Sequence, residues 1–170
     1  MHTFASLVDR VSDTLAQLCG WAYFGIGLML GFEVVARYFF NAPTIWAEEL
    51  SRLFFVFATL LAAPALLRHN QHIRVTALTG LMGEVGQRAS RLVALGFIVL
   101  LSGILVWHGL DAPLNSIERG RVSGTMLNLP AWWAQSAVPL AFFLLGLQAA
   151  LEFLRCALGA PLPPEAHVPE

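Results

Sequence analysis

The sequence predicts an all-α integral membrane protein with four transmembrane helices, and three observations predict it. Mean hydropathy is +0.67 and only 12% of the residues are charged, about half the usual share; a soluble domain of this length needs more polar surface. Four apolar runs, at about 15–40, 46–67, 92–110 and 131–154, would each be about 28–39 Å long as helices, enough to cross a hydrocarbon core of ~30 Å. No stretch shows the two-residue alternation of a barrel strand. A backbone in lipid then satisfies its polar groups only as helix.

The first run is longer than a bilayer requires and follows an amphipathic lead-in. Phe4, Leu7, Val8, Val11, Leu15 and Leu18 recur at three- and four-residue spacing, while Asp9, Arg10 and Asp13 stay off that face. Asn41-Ala-Pro-Thr44 turns the chain, with Thr44 placed to cap the second span. Pro64 in the second span and Pro139 in the fourth each remove a backbone donor and predict a kink. Between spans two and three, Val75, Leu78, Met82 and Val85 share one helical face. That predicts either an interfacial amphipathic helix or a plain connection running into span three. Gly27-x-x-x-Gly31, Gly96, Gly103 and Gly146 are candidates for close helix contacts. Residues 1–158 read as one four-helix transmembrane domain without a removable signal peptide. Residues 159–170, rich in Pro and Ala, read as a disordered tail.

Arginine sets the orientation, because every basic residue is Arg. With the N-terminus inside, the inner face holds Arg10, Arg68, Arg74, Arg88, Arg91 and Arg155, and the outer loops only Arg119 and Arg121. Both termini are therefore expected in the cytoplasm. Trp46, Trp107, Trp132 and Trp133 then fall at the outer interface, where indole rings favour the headgroup level. A net charge of −1 gives no reason to expect nucleic acid as a partner. Cys19 and Cys156 are too few for a disulfide framework or a metal site. His69 and His72 map to the inner end of span two and His108 to the outer end of span three. They cannot ligate one haem iron, and no cofactor is expected.

Function is concentrated in the first hairpin, where Glu33, Arg37, Glu48, Glu49 and Arg52 sit within or beside membrane-spanning sequence. A charge near the bilayer centre costs about 2.5–3.5 kcal/mol, so such groups pair with each other or with a partner. Glu33–Arg37 and Glu48–Arg52 have the four-residue spacing of helical ion pairs, acid first. The turn is short, which puts Arg37 at the depth of Glu48 and Glu49 and predicts a network across the two helices. The acids outnumber the arginines by one, leaving a spare carboxylate: either the charges satisfy one another and lock the hairpin or an interface, or the spare carboxylate binds a cation or proton. The outer loop offers Glu118, Arg119 and Arg121, which could steer a docking partner or belong to a solvated connector.

Glu33-Val-Val-Ala-Arg37-Tyr-Phe-Phe-Asn41, followed by Trp46-Ala-Glu48-Glu49-Leu-Ser-Arg52, resembles the small membrane subunit of tripartite ATP-independent periplasmic (TRAP) transporters, the DctQ-like family. Arg68-His-Asn-Gln-His72-Ile-Arg-Val75 resembles that family's inner-loop motif, although Thr76 stands where an acidic residue is common. Ser123-Gly-Thr-Met-Leu127-Asn-Leu-Pro130-Ala-Trp132 resembles the start of its fourth helix. The resemblance spans about 15–154 and implies a non-catalytic part of a bacterial inner-membrane transporter. It implies a large membrane subunit that moves an organic acid with a sodium gradient, and a periplasmic substrate-binding protein that delivers it. Glu33, Arg37, Asn41, Trp46, Glu48, Glu49 and Arg52 would then form an ion-pair network or subunit interface, and Glu118, Arg119 and Arg121 a docking face. Two other readings stay open: the membrane anchor of a respiratory enzyme binding quinone or haem, and a stand-alone structural membrane protein.

Overall fold

The computed structural model describes residues 2–42, 44–68, 84–124 and 127–158. They form six helices: α1 (His2–Phe39), α2 (Ile45–Leu61), α3 (Ala63–Arg68), α4 (Glu84–Gly109), α5 (Asp111–Glu118) and α6 (Ala131–Ala157). Four segments are long and apolar enough to cross a membrane: Ser6–Phe39, Trp46–Arg68, Val85–Glu118 and Ala131–Ala157. The all-α, four-span class expected from the apolar runs is what the chain builds. The expected interfacial helix, the His69–Thr76 motif and the tail from residue 159 lie outside the described residues.

Local sequence explains the breaks. The amphipathic lead-in and the first span are one helix, α1, which stops where Asn41 takes a left-handed φ of 50°. Asn tolerates that conformation better than most residues, and the Ala42 N–H then folds back to the Ala36 carbonyl at 3.1 Å. Thr44 occupies the N-cap position of α2 in extended conformation, but its hydroxyl makes no capping bond. Pro64 splits span two into α2 and α3 at a turn on Ala62, as a missing donor inside a helix predicts. Pro139 stays inside α6. Gly109 faces it, and a Cβ there would lie 3.6 Å from the Pro139 ring.

The helices pack as a row with α6 near its centre. α6 touches α4 and α5 on one side and α1, α2 and α3 on the other; α1 packs along α2. The α4–α6 seam is tight because small residues line it. A Cβ on Gly146 would come within 3.0 Å of Ser102, and Gly96 lies against Phe153. Leu67, Leu95 and Ala149 form a buried core, with Ile98, Val99, Leu145 and Phe153 packed on it. Among the described residues nothing approaches the Cβ positions of Gly20, Gly25, Gly27 or Gly31 within 4 Å, so none of them packs against the Gly27-x-x-x-Gly31 face.

Candidate functional site

The first hairpin forms its local pairs. Arg37 Nη2 donates to Glu33 Oε1 at 2.6 Å, from a side chain 52% exposed to one 8% exposed. Arg52 Nη2 donates to Glu48 Oε1 at 3.2 Å, with both groups largely in the open. Trp46 lies over Phe32 with ring centroids 6.4 Å apart, and Asn41 is exposed in the turn. Among the described residues no ion pair joins Arg37 to Glu48 or Glu49. The expected cross-helix network is replaced by two pairs, each within its own helix. The reason is directional: Glu33 points into the packed side of α1 and draws Arg37 back to it, while Glu48 faces outward. The spare carboxylate is Glu49. Its Oε1 accepts the Leu127 N–H at 3.3 Å, tying the α5–α6 loop to the start of α2. Its Oε2 is buried without a hydrogen-bond partner among the described residues.

The cross-helix network sits at the other end of the bundle. Asp9 of α1 is its centre. Arg155 Nη2 of α6 reaches Asp9 Oδ2 at 2.7 Å, and Gln148 Nε2 donates to Asp9 Oδ1 at 3.2 Å. Arg68 of α3 places Nε 3.5 Å from Asp9 Oδ1, donates to the Asp9 carbonyl at 3.0 Å and pairs with Asp13. Glu152 of α6 bridges two guanidiniums, Arg155 Nη1 at 2.8 Å and Arg91 Nη2 of α4 at 3.1 Å. Ser12 Oγ donates to Gln148 Oε1 at 3.1 Å, and Gln148 is fully buried. Three carboxylates and three guanidiniums from all four spans thus neutralise one another. Such a group stands beside lipid because its charges and hydrogen bonds are met internally.

The sequence reading placed Asp9, Asp13, Arg68, Arg91 and Arg155 at this end but did not join them, and it missed Ser12, Gln148 and Glu152. A signal was present: Gln148 is an amide inside an apolar run, and intramembrane polar residues mark contacts. Glu152 and Arg155 also have ion-pair spacing.

The loop between α5 and α6 is a folded platform. After α5, Gly120 turns with φ 57°, and the Arg121 N–H bonds the Ser116 carbonyl at 2.9 Å. The Arg121 carbonyl accepts the Ala131 N–H at 3.0 Å, and Val122 bridges Pro130. Glu118, Arg119 and Arg121 are exposed on this platform.

Residues 26–159 match the family described as tripartite ATP-independent periplasmic transporters, DctQ component. A putative TRAP transporter small permease protein of Haemophilus influenzae is 30% identical over 121 residues, 70% of this chain and 74% of that protein. The ectoine TRAP transporter small permease protein TeaB of Halomonas elongata is 25% identical over 116 residues, 68% of this chain and 60% of its own length. The sialic acid TRAP transporter permease protein SiaT of another Haemophilus influenzae strain is 32% identical over 77 residues. That match covers 45% of this chain and 12% of SiaT. The chain thus spans less than two thirds of both TeaB and SiaT.

Proposed function

Because the chain belongs to the DctQ component family of tripartite ATP-independent periplasmic transporters, and is a small permease subunit of a transporter, we propose that it acts as a static, non-catalytic scaffold beside a large membrane subunit. The large subunit carries substrate and coupling ion. This chain widens the fixed part of the complex in the bilayer and helps a periplasmic substrate-binding protein dock during sodium-driven uptake of an organic acid. The network end faces the cytoplasm, with both termini there, in the inner membrane of a bacterium. The hairpin residues Glu33, Arg37, Asn41, Trp46, Glu48, Glu49 and Arg52 face or brace the large subunit. Glu118, Arg119 and Arg121 belong to the docking face.

The observation that carries this reading is the charge balance of the inner network, in which five ion pairs are shared among three carboxylates and three guanidiniums. A group that binds and releases an ion during transport needs a side chain that exchanges partners. A shared chain of ion pairs spanning α1, α3, α4 and α6 favours a fixed geometry. The Arg distribution supports the orientation.

The test is affinity purification of the tagged chain from its native membranes, with mass spectrometry of its companions and uptake measured in a deletion strain. A stoichiometric large multi-spanning subunit and loss of uptake are expected. A flavoprotein or iron–sulfur companion, or a chain purified alone from a strain with unchanged uptake, would overturn the proposal.

A further inference from the structure

A polar cleft of about 480 Å³ opens at the outer end of α4–α6, lined by His108, Asp111, Ser116, Arg119, Arg121 and Gln135 among others. One side is fixed: Ser116 Oγ donates to Gln135 Oε1 at 2.6 Å, so the Gln135 amide NH2 is the part of that side chain still able to donate. Another side is fixed too. The Arg121 backbone is hydrogen-bonded at both its N–H and its carbonyl, and the Arg119 N–H bonds the Asn115 carbonyl at 3.1 Å. Two forked guanidiniums therefore stand on held backbone. The acid in the cleft, Asp111, lies 4.0 Å from His108 Nδ1. Counting both arginines against Asp111, the cleft carries an excess of one positive charge.

Depth identifies the kind of anion. Gln135 lies two and three residues further along α6 than Trp133 and Trp132, about 3–4.5 Å deeper along the axis. His108 follows the exposed Trp107. Indole rings gather at the lipid headgroup level, so the cleft lies near that level, with Arg119 and Arg121 of the adjoining loop lining it. Planar guanidiniums match phosphate oxygens in paired hydrogen bonds. The geometry points to a binding site for a phosphate group in this cleft, supplied by the headgroup of an anionic phospholipid in the outer leaflet. Lipid phosphate is the anion held at this depth by the membrane itself. A partner docking on Arg119 and Arg121 would then meet a surface whose charge the lipid has partly neutralised.

The test uses the full chain, with any membrane partner that accompanies it, in phosphatidylcholine vesicles doped with a photo-crosslinking phosphatidylglycerol. Peptides carrying the label are mapped by mass spectrometry. Label is expected between residues 108 and 135 and should fall at least about tenfold in Arg119→Gln/Arg121→Gln, since each charge-assisted contact is worth about one decade or more of binding. Arg121→Lys, which keeps the charge and loses the fork, should fall between the two. Arg10→Gln, at the opposite end, should label as wild type. Equal labelling of the double variant, an equal loss in Arg10→Gln, or no label in this segment would overturn the site. Displacement of the label by millimolar inorganic phosphate would overturn the lipid as its source and assign the cleft to soluble phosphate.

Discussion

Glu152→Gln isolates the Asp9-centred network with the least change of shape. The carboxylate lies between Arg155 Nη1 at 2.8 Å and Arg91 Nη2 at 3.1 Å, and its side chain is 12% exposed, Arg91's 11%. Removing its charge affects the two arginines differently. Arg155 keeps Asp9 at 2.7 Å, so its loss is partial. Arg91 loses its carboxylate in a position where water replaces little of it. Breaking a buried pair on one side destabilises by about 3–5 kcal/mol, and the remaining Asp9 contact places this variant near 3 kcal/mol at the lower end. Glu48→Gln is the reference, because the Arg52–Glu48 pair is 72% and 61% exposed and such pairs contribute about 0–1 kcal/mol. Equilibrium unfolding in mixed detergent–SDS micelles, followed by far-ultraviolet circular dichroism, measures both. Adding Arg91→Gln to Glu152→Gln should restore part of the loss, since the double variant no longer holds an uncompensated charge. A Glu152→Gln variant no less stable than Glu48→Gln, or a double-mutant cycle without coupling, would refute the view that the network holds the helices together.

Three further outcomes are expected from the same assay or a simple companion. Arg37→Ala should destabilise by about 2–4 kcal/mol, because it strips the guanidinium from the buried Glu33 carboxylate, whereas Arg52→Ala should stay within about 1 kcal/mol of wild type. Gly146→Ala should lose about 1–3 kcal/mol by pressing on Ser102, while Gly27→Ala should leave the isolated chain as stable as before and impair only co-purification of a partner that uses that face. Glu49→Gln should speed hydrogen exchange at the Leu127 amide by about tenfold, reflecting a weakened hydrogen bond to a charged acceptor; unchanged exchange would show that Glu49 does not hold the loop.

The helices were legible because each apolar run reports its own burial in lipid, and the stops at Asn41 and Pro64 are local backbone chemistry. Short-range ion pairs were legible for the same reason: Glu33–Arg37 and Glu48–Arg52 follow from spacing within one helix. What spacing could not supply was direction across helices. Arg37 and Glu49 lie near the same hairpin turn, and only the orientation of Glu33 decides that Arg37 turns back instead of across. The Asp9–Arg155 pair joins residues 146 positions apart. It depends on the register of α1 against α6, which no local pattern encodes. The α5–α6 platform was hidden for a similar reason. Its bends use left-handed Gly120, Gly124 and Asn128, and its fixing point is the side chain of Glu49, far away in sequence.

The row of helices follows from the solvent. Lipid tails are as apolar as leucine, so apolar side chains gain little by turning inward, and helices associate through small-residue contacts and polar links. α6 has both: Ala137, Ala141, Gly146 and Ala149 let neighbours approach, and Gln148, Glu152 and Arg155 bind them at the network end. α1 is held at its start by Asp9 and Asp13, and near its middle by the Tyr23–Thr59 hydrogen bond at 2.7 Å. Yet it leaves Trp21, Phe24, Leu28 and its glycines on the outside. A closed four-helix bundle would have to turn those glycines inward or bring α1 against α4. The described residues do neither to any extent, because the polar links hold α1 and α4 on opposite flanks of α6. That geometry leaves α1 and α4 on opposite flanks of α6, with apolar side chains exposed along both.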